Sequence, residues 1–227
     1  MIRIEGVRAV VTDIEGTTGS IAFVHEVLFP YARAHLRAFI ANRRQEVDVI
    51  LDDVRGAEGD LEDDALVALL RRWIDEDRKA PALKTLQGLI WRDGYESGEL
   101  VGHVYDDAVR MLRRWRVEGL RLHIYSSGSA AAQKLLFGHS VAGDLTPLFD
   151  AYFDTGVGPK TSADSYRRIA QAVGADPGAI LFLSDSSAEI AAARSAGLQA
   201  IRIVRDAAPE PDEAGGFDEI EIIGPAR

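Results

Sequence analysis

Val10-Val11-Thr12-Asp13-Ile14-Glu15-Gly16-Thr17-Thr18 is the stretch on which the fold turns. A short apolar run ends abruptly at an acid, a second acid follows at i+2, and a glycine and two threonines come next. An α/β sheet presents reactive side chains at its carboxyl edge in this way. At i and i+2 one carboxylate can attack while the other handles protons, an arrangement suited to phosphoryl transfer through an aspartyl-phosphate. The same residues also read as a strand followed by an acidic turn, and this stretch alone does not separate the two.

Further apolar runs lie at 120–125, 151–153, 180–183 and 200–204, joining the one at 9–12. They are short and mostly lack strict alternation, as strands buried on both faces of a parallel sheet do. Helical patterns separate them. Residues 104–118 carry Val109, Leu112 and Trp115 and stop at Gly119. Residues 162–173 have Ser162 as N-cap and Gly174 as stop, and 187–196 end at Gly197. The alternation predicts an α/β fold with a doubly wound, Rossmann-like parallel sheet.

Residues 23–102 break the alternation. Helical patterns fill 24–42, 44–55, 62–77 and 82–97, with Pro30 expected to kink the first. The reading is an all-helical insert at 23–102 within a catalytic core made of 1–22 and 103–227. The insert leaves directly after the two acids, so it could close over them as a lid. Within it Trp91 and Tyr95 stand at i, i+4 on one face and either read a substrate or pack the insert. Beyond Arg205 a Pro- and Gly-containing loop is expected, then an edge strand at 217–223.

Composition narrows the function. In 227 residues, 47% are hydrophobic and 27% charged, as in ordinary globular proteins. No apolar run of 18 residues suggests a membrane span, and Met1-Ile2-Arg3-Ile4-Glu5 lacks the apolar core of a signal peptide. The absence of cysteine excludes disulfides, thiolate metal sites and cysteine nucleophiles. A cytoplasmic monomer with no membrane partner is expected. A net charge of −10 argues against nucleic-acid binding. An acidic protein acting on a phosphate ester needs local positive charge from a metal, a lysine or helix N-termini.

Three later segments supply such groups. Tyr125-Ser126-Ser127-Gly128-Ser129 ends the second run, where hydroxyls and helix-start N–H groups can cradle an oxyanion, or simply form a cap and turn. Asp154-Thr155-Gly156-Val157-Gly158-Pro159-Lys160 follows the third and places a cation at the strand edge. At about 4 Å and an effective dielectric of about 20, its pairing with a phosphate is worth about 4 kcal/mol before desolvation. Ser184-Asp185-Ser186-Ser187-Ala188-Glu189 follows the fourth. Asp185 with Asp13 makes a hard oxygen site suited to Mg²⁺. Glu189 either supports that site from behind or is a favourable charge in a helix's first turn. Four consecutive strand ends carrying acid-x-acid, serine, lysine and acid define an aspartate-based phosphotransferase site.

This ordered set resembles the haloacid-dehalogenase-like superfamily over nearly the whole chain. A closer resemblance is to the acireductone synthase family, the enolase-phosphatases of methionine salvage. It is carried by Asp13-Ile14-Glu15-Gly16-Thr17-Thr18, by Phe23 with Val27-Leu28-Phe29-Pro30-Tyr31-Ala32, by Tyr125-Ser126-Ser127-Gly128-Ser129 and by Gln133-Lys134-Leu135-Leu136-Phe137-Gly138-His139-Ser140. Leu86-Gln87-Gly88, Trp91 and Gly94-Tyr95 resemble that family's helical cap. The resemblance implies enolisation and then dephosphorylation of 2,3-diketo-5-methylthiopentyl 1-phosphate to the acireductone 1,2-dihydroxy-3-keto-5-methylthiopentene, with Mg²⁺. It implies Asp13 as nucleophile and metal ligand, and Glu15 at the metal site through its backbone carbonyl. Ser126, Ser127 and Gly128 would contact the phosphate with Lys160, and Asp185 would be the remaining metal ligand. Two departures stand out. Gly19 replaces an expected Thr or Ser, and Ser186-Ser187 replace larger apolar residues; each could loosen its turn. Generic phosphatases of the superfamily carry Asp where this chain has Glu15. A phosphatase for another small ester and a catalytically dead binding relative are the alternatives, and Asp13 and Lys160 argue against the second.

Overall fold

In the computed structural model, which describes residues 1–223, the strands are β1 (Ile2–Glu5), β2 (Ala9–Thr12), β3 (Arg121–Tyr125), β4 (Ala151–Phe153), β5 (Ile180–Ser184), β6 (Gln199–Ile203), β7 (Glu213–Ala214) and β8 (Ile220–Ile223). Six of them form one parallel sheet in the order β4-β3-β2-β5-β6-β7. β2 and β5 are buried along their whole length, which is why their sequences are continuously apolar. Side chains alternate between faces. Val11, Tyr125 and Phe182 pack with Tyr166, Ile169 and Ile190 from helices Ala163–Val173 and Ser187–Ser195. Helix Asp106–Val117 packs on β3 and buries Leu112 and Trp115. It ends at Gly119, whose φ of +89° favours glycine.

The sheet register decides what can meet. β2 pairs with β3 on one side and β5 on the other, matching Thr12 with Ile124 and with Leu183. The residues after these pairs therefore emerge side by side at the carboxyl edge. The first strand flanked by strands wound in opposite directions is the switch point where such folds bind ligands.

The chain divides into two compact units, Met1–Ile21 with Val101–Arg227, and Ala22–Leu100. Among the described residues the second unit is helical throughout: Phe29–Asn42, Arg44–Glu58, Asp63–Asp75 and Pro81–Ser97. Leu36, Leu51, Leu66, Leu70, Leu83 and Leu86 fill its core. Pro30 does not kink a helix. Val24–Leu28 forms a π-helical turn closed by Phe29 N–H on Val24 O, and the α-helix begins behind it with Pro30 in its first turn. Proline lacks the N–H and its ring conflicts with the carbonyl four residues back; the wider turn removes that conflict. Trp91 stacks on Phe29 and donates its indole N–H to Leu28 O at 2.8 Å, so its ring is engaged in packing this unit. Tyr95 is buried, and burial pushes its phenol well above the ordinary range.

Two departures concern the termini. Residues 217–223 do not form an edge of the main sheet. Phe217–Glu219 is a 3₁₀ turn whose fully buried Phe217 stacks on Trp115, and β8 pairs in parallel with β1 in a separate two-stranded sheet. The main-sheet edge is taken by β7 instead. Ile2-Arg3-Ile4-Glu5 does alternate, but four residues at a terminus give too short a period to distinguish a strand.

His123 on β3 is buried, with neither ring nitrogen hydrogen-bonded, and burial lowers its pKa from 6.5 to about 4. The fold resists a proton that the unfolded chain accepts below pH 6.5. The stability owed to neutral His123 is therefore complete above pH 6.5 and disappears as pH falls toward 4. By pH 5 about 2 kcal/mol of it has been lost. His123→Phe removes the titration, so urea unfolding should show a shallower loss of stability between pH 6.5 and 5 than in the parent. Identical slopes refute the assignment.

Candidate active site

Asp13 leaves β2 as a buried residue, its N–H bonded to Leu183 O at 2.9 Å. Its backbone carbonyl accepts the hydroxyls of Thr12 and Thr18 at 3.1 and 3.0 Å, and its own Oδ1 accepts Ile14 N–H at 2.8 Å. The carboxylate is thus aimed by four local contacts. Lys160, beyond β4, brings Nζ to 2.6 Å from Asp13 Oδ1 and 2.9 Å from Glu189 Oε2. Ser184 Oγ lies 3.3 Å from Asp13 Oδ2 and 2.8 Å from Glu189 Oε2. A serine has one proton, and the shorter contact assigns it to Glu189. Glu189 is therefore a partner of Lys160, beyond its place in a helix's first turn.

Burial pushes the Asp13 carboxyl up and Lys160 opposes it, while Glu15 and Glu189 push the same way as burial. Burial alone would lower Lys160, but Asp13 and Glu189 hold it above its ordinary value, as a cation. Asp185 is raised by burial and by Glu189.

Gly16 has φ +70°, and a Cβ there would sit 2.3 Å from Asp185 Oδ2. Only glycine lets the β2 loop approach that carboxylate so closely. Asp185 N–H is held by Thr17 Oγ1 at 3.0 Å, but no other residue's donor among those described reaches its carboxylate. A half-buried carboxylate with no donor beyond its own backbone N–H, pushed up by burial, Glu189 and Glu15, suits a bound cation. Among the described residues no group of three His, Asp or Glu side chains could hold a metal. Two carboxylates fit Mg²⁺, which retains waters and phosphate oxygens as its other ligands, better than ions needing a full protein cage.

The serine cradle differs from expectation. Ser126 is fully buried, and its hydroxyl donates to Glu15 at 3.0 Å while accepting Gly128 N–H at 3.1 Å. Ala130 N–H is taken by Asp154 Oδ2, and Ala132 N–H by the Ser129 cap. Three amides expected to face an oxyanion are thus already satisfied. Ser127 is the exposed member of the turn. Buried Gln133 donates to both Gly128 O and Phe153 O at 2.8 Å, tying the ends of β3 and β4 together.

Neither departure loosens its turn. A Cβ at Gly19 would lie 2.8 Å from His103 O, so the close approach excludes a side chain. Ser186 caps helix Ser187–Ser195 through Glu189 N–H. Sequence reasoning missed Ser184, Thr17, Asp154 and Arg205. The partners of Thr17, Asp154 and Arg205 lie 168, 24 and 188 residues away, beyond any local pattern, and Ser184 joins Glu189, five residues on, beside Asp13, 171 residues back.

Residues 7–197 match the haloacid dehalogenase-like hydrolase family. The chain is 54% identical to the enolase-phosphatase E1 of Parvibaculum lavamentivorans, covering 95% of each chain. It is 53% identical to that of Thioalkalivibrio sulfidiphilus, over 87% of this chain and 90% of the other. The solved structure of the UTR4 protein from Saccharomyces cerevisiae superposes with a TM-score of 0.79 at 36% identity, covering 91% of this chain and 94% of that one. The CbbY structure from Rhodobacter sphaeroides, at 18% identity and a TM-score of 0.61 over 94% and 96% of the two chains, shares the fold. With a parallel sheet presenting Asp13, Lys160 and Asp185 at its switch point, and relatives of this identity along its length, the chain belongs to the enolase-phosphatase E1 family of haloacid dehalogenase-like hydrolases.

Proposed function

We propose that this hydrolase enolises 2,3-diketo-5-methylthiopentyl 1-phosphate and then removes its phosphate, giving 1,2-dihydroxy-3-keto-5-methylthiopentene in methionine salvage. The observation that carries the reading is the buried Asp13–Lys160–Glu189 cluster, with Glu15 and Asp185 beside it at one sheet edge. In enolisation a base takes the C1 proton and the C2 oxygen gains one, leaving a C1–C2 double bond. Asp13 then attacks phosphorus; the bond from phosphorus to the C1 oxygen breaks, and the departing oxygen receives a proton. Conjugation makes this oxygen a better leaving group than an alkoxide, so it needs less help from an acid. Water next cleaves the aspartyl-phosphate and restores Asp13. Lys160 balances charge on Asp13 and the phosphate, and exposed Ser127 is read as a contact of the phosphate oxygens, the Gly128 N–H being taken by Ser126 Oγ. Asp13 and Asp185, with the Glu15 carbonyl, would hold Mg²⁺, whose charge offsets the phosphate dianion.

Purified protein should exchange the C1 proton of the diketone phosphate and release phosphate. EDTA should stop the release and Mg²⁺ restore it. Brisk turnover of phosphoglycolate with no C1 exchange on the diketone, or full activity in EDTA, defeats the reading.

Glu15 is where the two half-reactions can be separated. Its carboxylate is steadied by Ser126 Oγ, and it extends about 1.5 Å farther than an aspartate would. That reach suits a proton-handling role near C1. Glu15→Asp should slow C1 exchange at least about tenfold while phosphate release from a simple ester falls less. Equal loss of both, or unchanged exchange, leaves Glu15 only its backbone role.

A further inference from the structure

Arg205, two residues beyond β6, is 10% exposed and points at the loop that carries Asp13 and Glu15. Its Nε and Nη2 donate to Thr17 O at 3.1 and 2.6 Å. Its Nη1 meets both Asp107 oxygens, at 2.9 and 2.8 Å, and Asp107 Oδ2 also accepts Phe217 N–H at 2.7 Å. The guanidinium carbon lies 4.2 Å from the Tyr105 ring centre and 5.5 Å from that of Phe217. Fork, carboxylate and aromatic rings leave the group few alternative positions.

The residue it grips is itself a connector. Thr17 is fully buried, and its hydroxyl accepts Asp185 N–H. From the other side Arg202 Nε donates to Asp185 O at 2.9 Å. Tyr105 N–H holds Thr18 O at 2.9 Å. The loop after Asp13 and the turn at Asp185 are thus joined through Thr17, and Arg205 fixes Thr17 from below. Stability alone accounts poorly for such a pair, because desolvation of a buried ion pair consumes most of its Coulomb gain. One backbone carbonyl could be satisfied by a neutral donor at less cost.

We propose that Arg205, locked by Asp107, is a positioning residue that holds Thr17 so that Asp185 stands at a set distance from Asp13. This rests on reading Asp13 and Asp185 as the acids of phosphoryl transfer. Arg205→Lys keeps the charge but loses the fork, and cannot bond Thr17 O twice while holding both Asp107 oxygens. Three readouts apply: hydrogen exchange at the Asp185 amide, Mg²⁺ affinity by calorimetry, and kcat against KM for phosphate release. Asp185 exchange should quicken about tenfold or more as its acceptor is freed. Mg²⁺ affinity and kcat should each fall about 10–100-fold with a smaller change in KM. A folded Arg205→Lys with native Asp185 exchange overturns the proposal, as does native Mg²⁺ affinity together with native kcat. Should that variant not fold, Asp107→Asn keeps the shape and the Phe217 bond, frees one side of the guanidinium, and must give the same changes more weakly. Native values for all three readouts in Asp107→Asn overturn it equally. A parent protein inactive on the diketone phosphate would instead defeat the functional reading, and Asp185 exchange would still decide whether Arg205 positions that residue.

Discussion

Asp13→Asn is expected to abolish phosphate release. The side chain keeps its shape and can still accept Ile14 N–H, and the threonine hydroxyls that fix the backbone carbonyl are untouched. What disappears is the oxygen anion that forms the bond to phosphorus. A carboxamide is a far poorer nucleophile, and nothing in the site can activate it. Phosphate-monoester hydrolysis is among the slowest uncatalysed reactions, so the loss should exceed about four orders of magnitude. Phosphate release in single-turnover and steady-state assays measures it. Turnover above about a tenth of the parent value would mean that Asp13 does not carry the phosphoryl group.

Lys160→Met should be nearly as damaging, for a different reason. Lys160 is 8% exposed and stands between Asp13 and Glu189, with Glu15 also acting on Asp13. Methionine keeps the length of the stem but leaves these buried carboxylates facing one another without a cation. Loss of one partner of a buried pair costs about 3–5 kcal/mol. Loss of a charged contact to the transferring group costs about 10²–10³ in kcat. The pH dependence has a definite sign. Burial already raises Asp13, and Lys160 is the group that opposes it. Without Lys160 the carboxyl rises further. An acid raised by folding favours the native state below its unfolded pKa of 3.8, and that benefit fades as pH climbs through the folded value. In EDTA, both proteins should therefore lose stability at the same rate up to about pH 8, where the parent levels off, while Lys160→Met goes on losing it between about pH 8 and 10, as read by urea unfolding at each pH. Parallel curves would show that Lys160 does not govern the Asp13 charge.

Mutual support runs through both cases. Glu189 bears on Asp13 through Lys160 and Ser184 and by its own charge, so changes at these positions will not add independently.

The doubly wound sheet was legible because burial on both faces leaves an unmistakable mark. Strands β2 and β5 carry no outward face, so their apolar runs stop only where the chain reaches the sheet edge. The side chain after the stop is then a candidate for chemistry, which is how Asp13, Lys160 and Asp185 could be picked from one sequence. The helical character of the insert read at 23–102 was legible from its 3.6-residue period, and the compact helical unit runs from Ala22 to Leu100. The π-turn before Pro30 was not, since a proline signals a backbone conflict without saying how it is resolved.

The sequence by itself determined the strand-and-helix alternation, the acids and lysine at the strand ends, and the place of the helical segment, because each is a local consequence of which residues meet water. Only the tertiary structure decided which partners those side chains take. Ser126 turned out to hold Glu15, Asp154 to hold the Ala130 amide, Glu189 to share Lys160 with Asp13, and Arg205 to grip Thr17. Hydrogen bonds join specific atoms within about 3 Å across any separation along the chain, and no composition or period records them. Likewise β8 pairs with β1 from opposite ends of the chain, and Phe217 is buried against Trp115. Strand propensity predicts that a segment will extend, but the neighbour it joins is set by the packing of everything between.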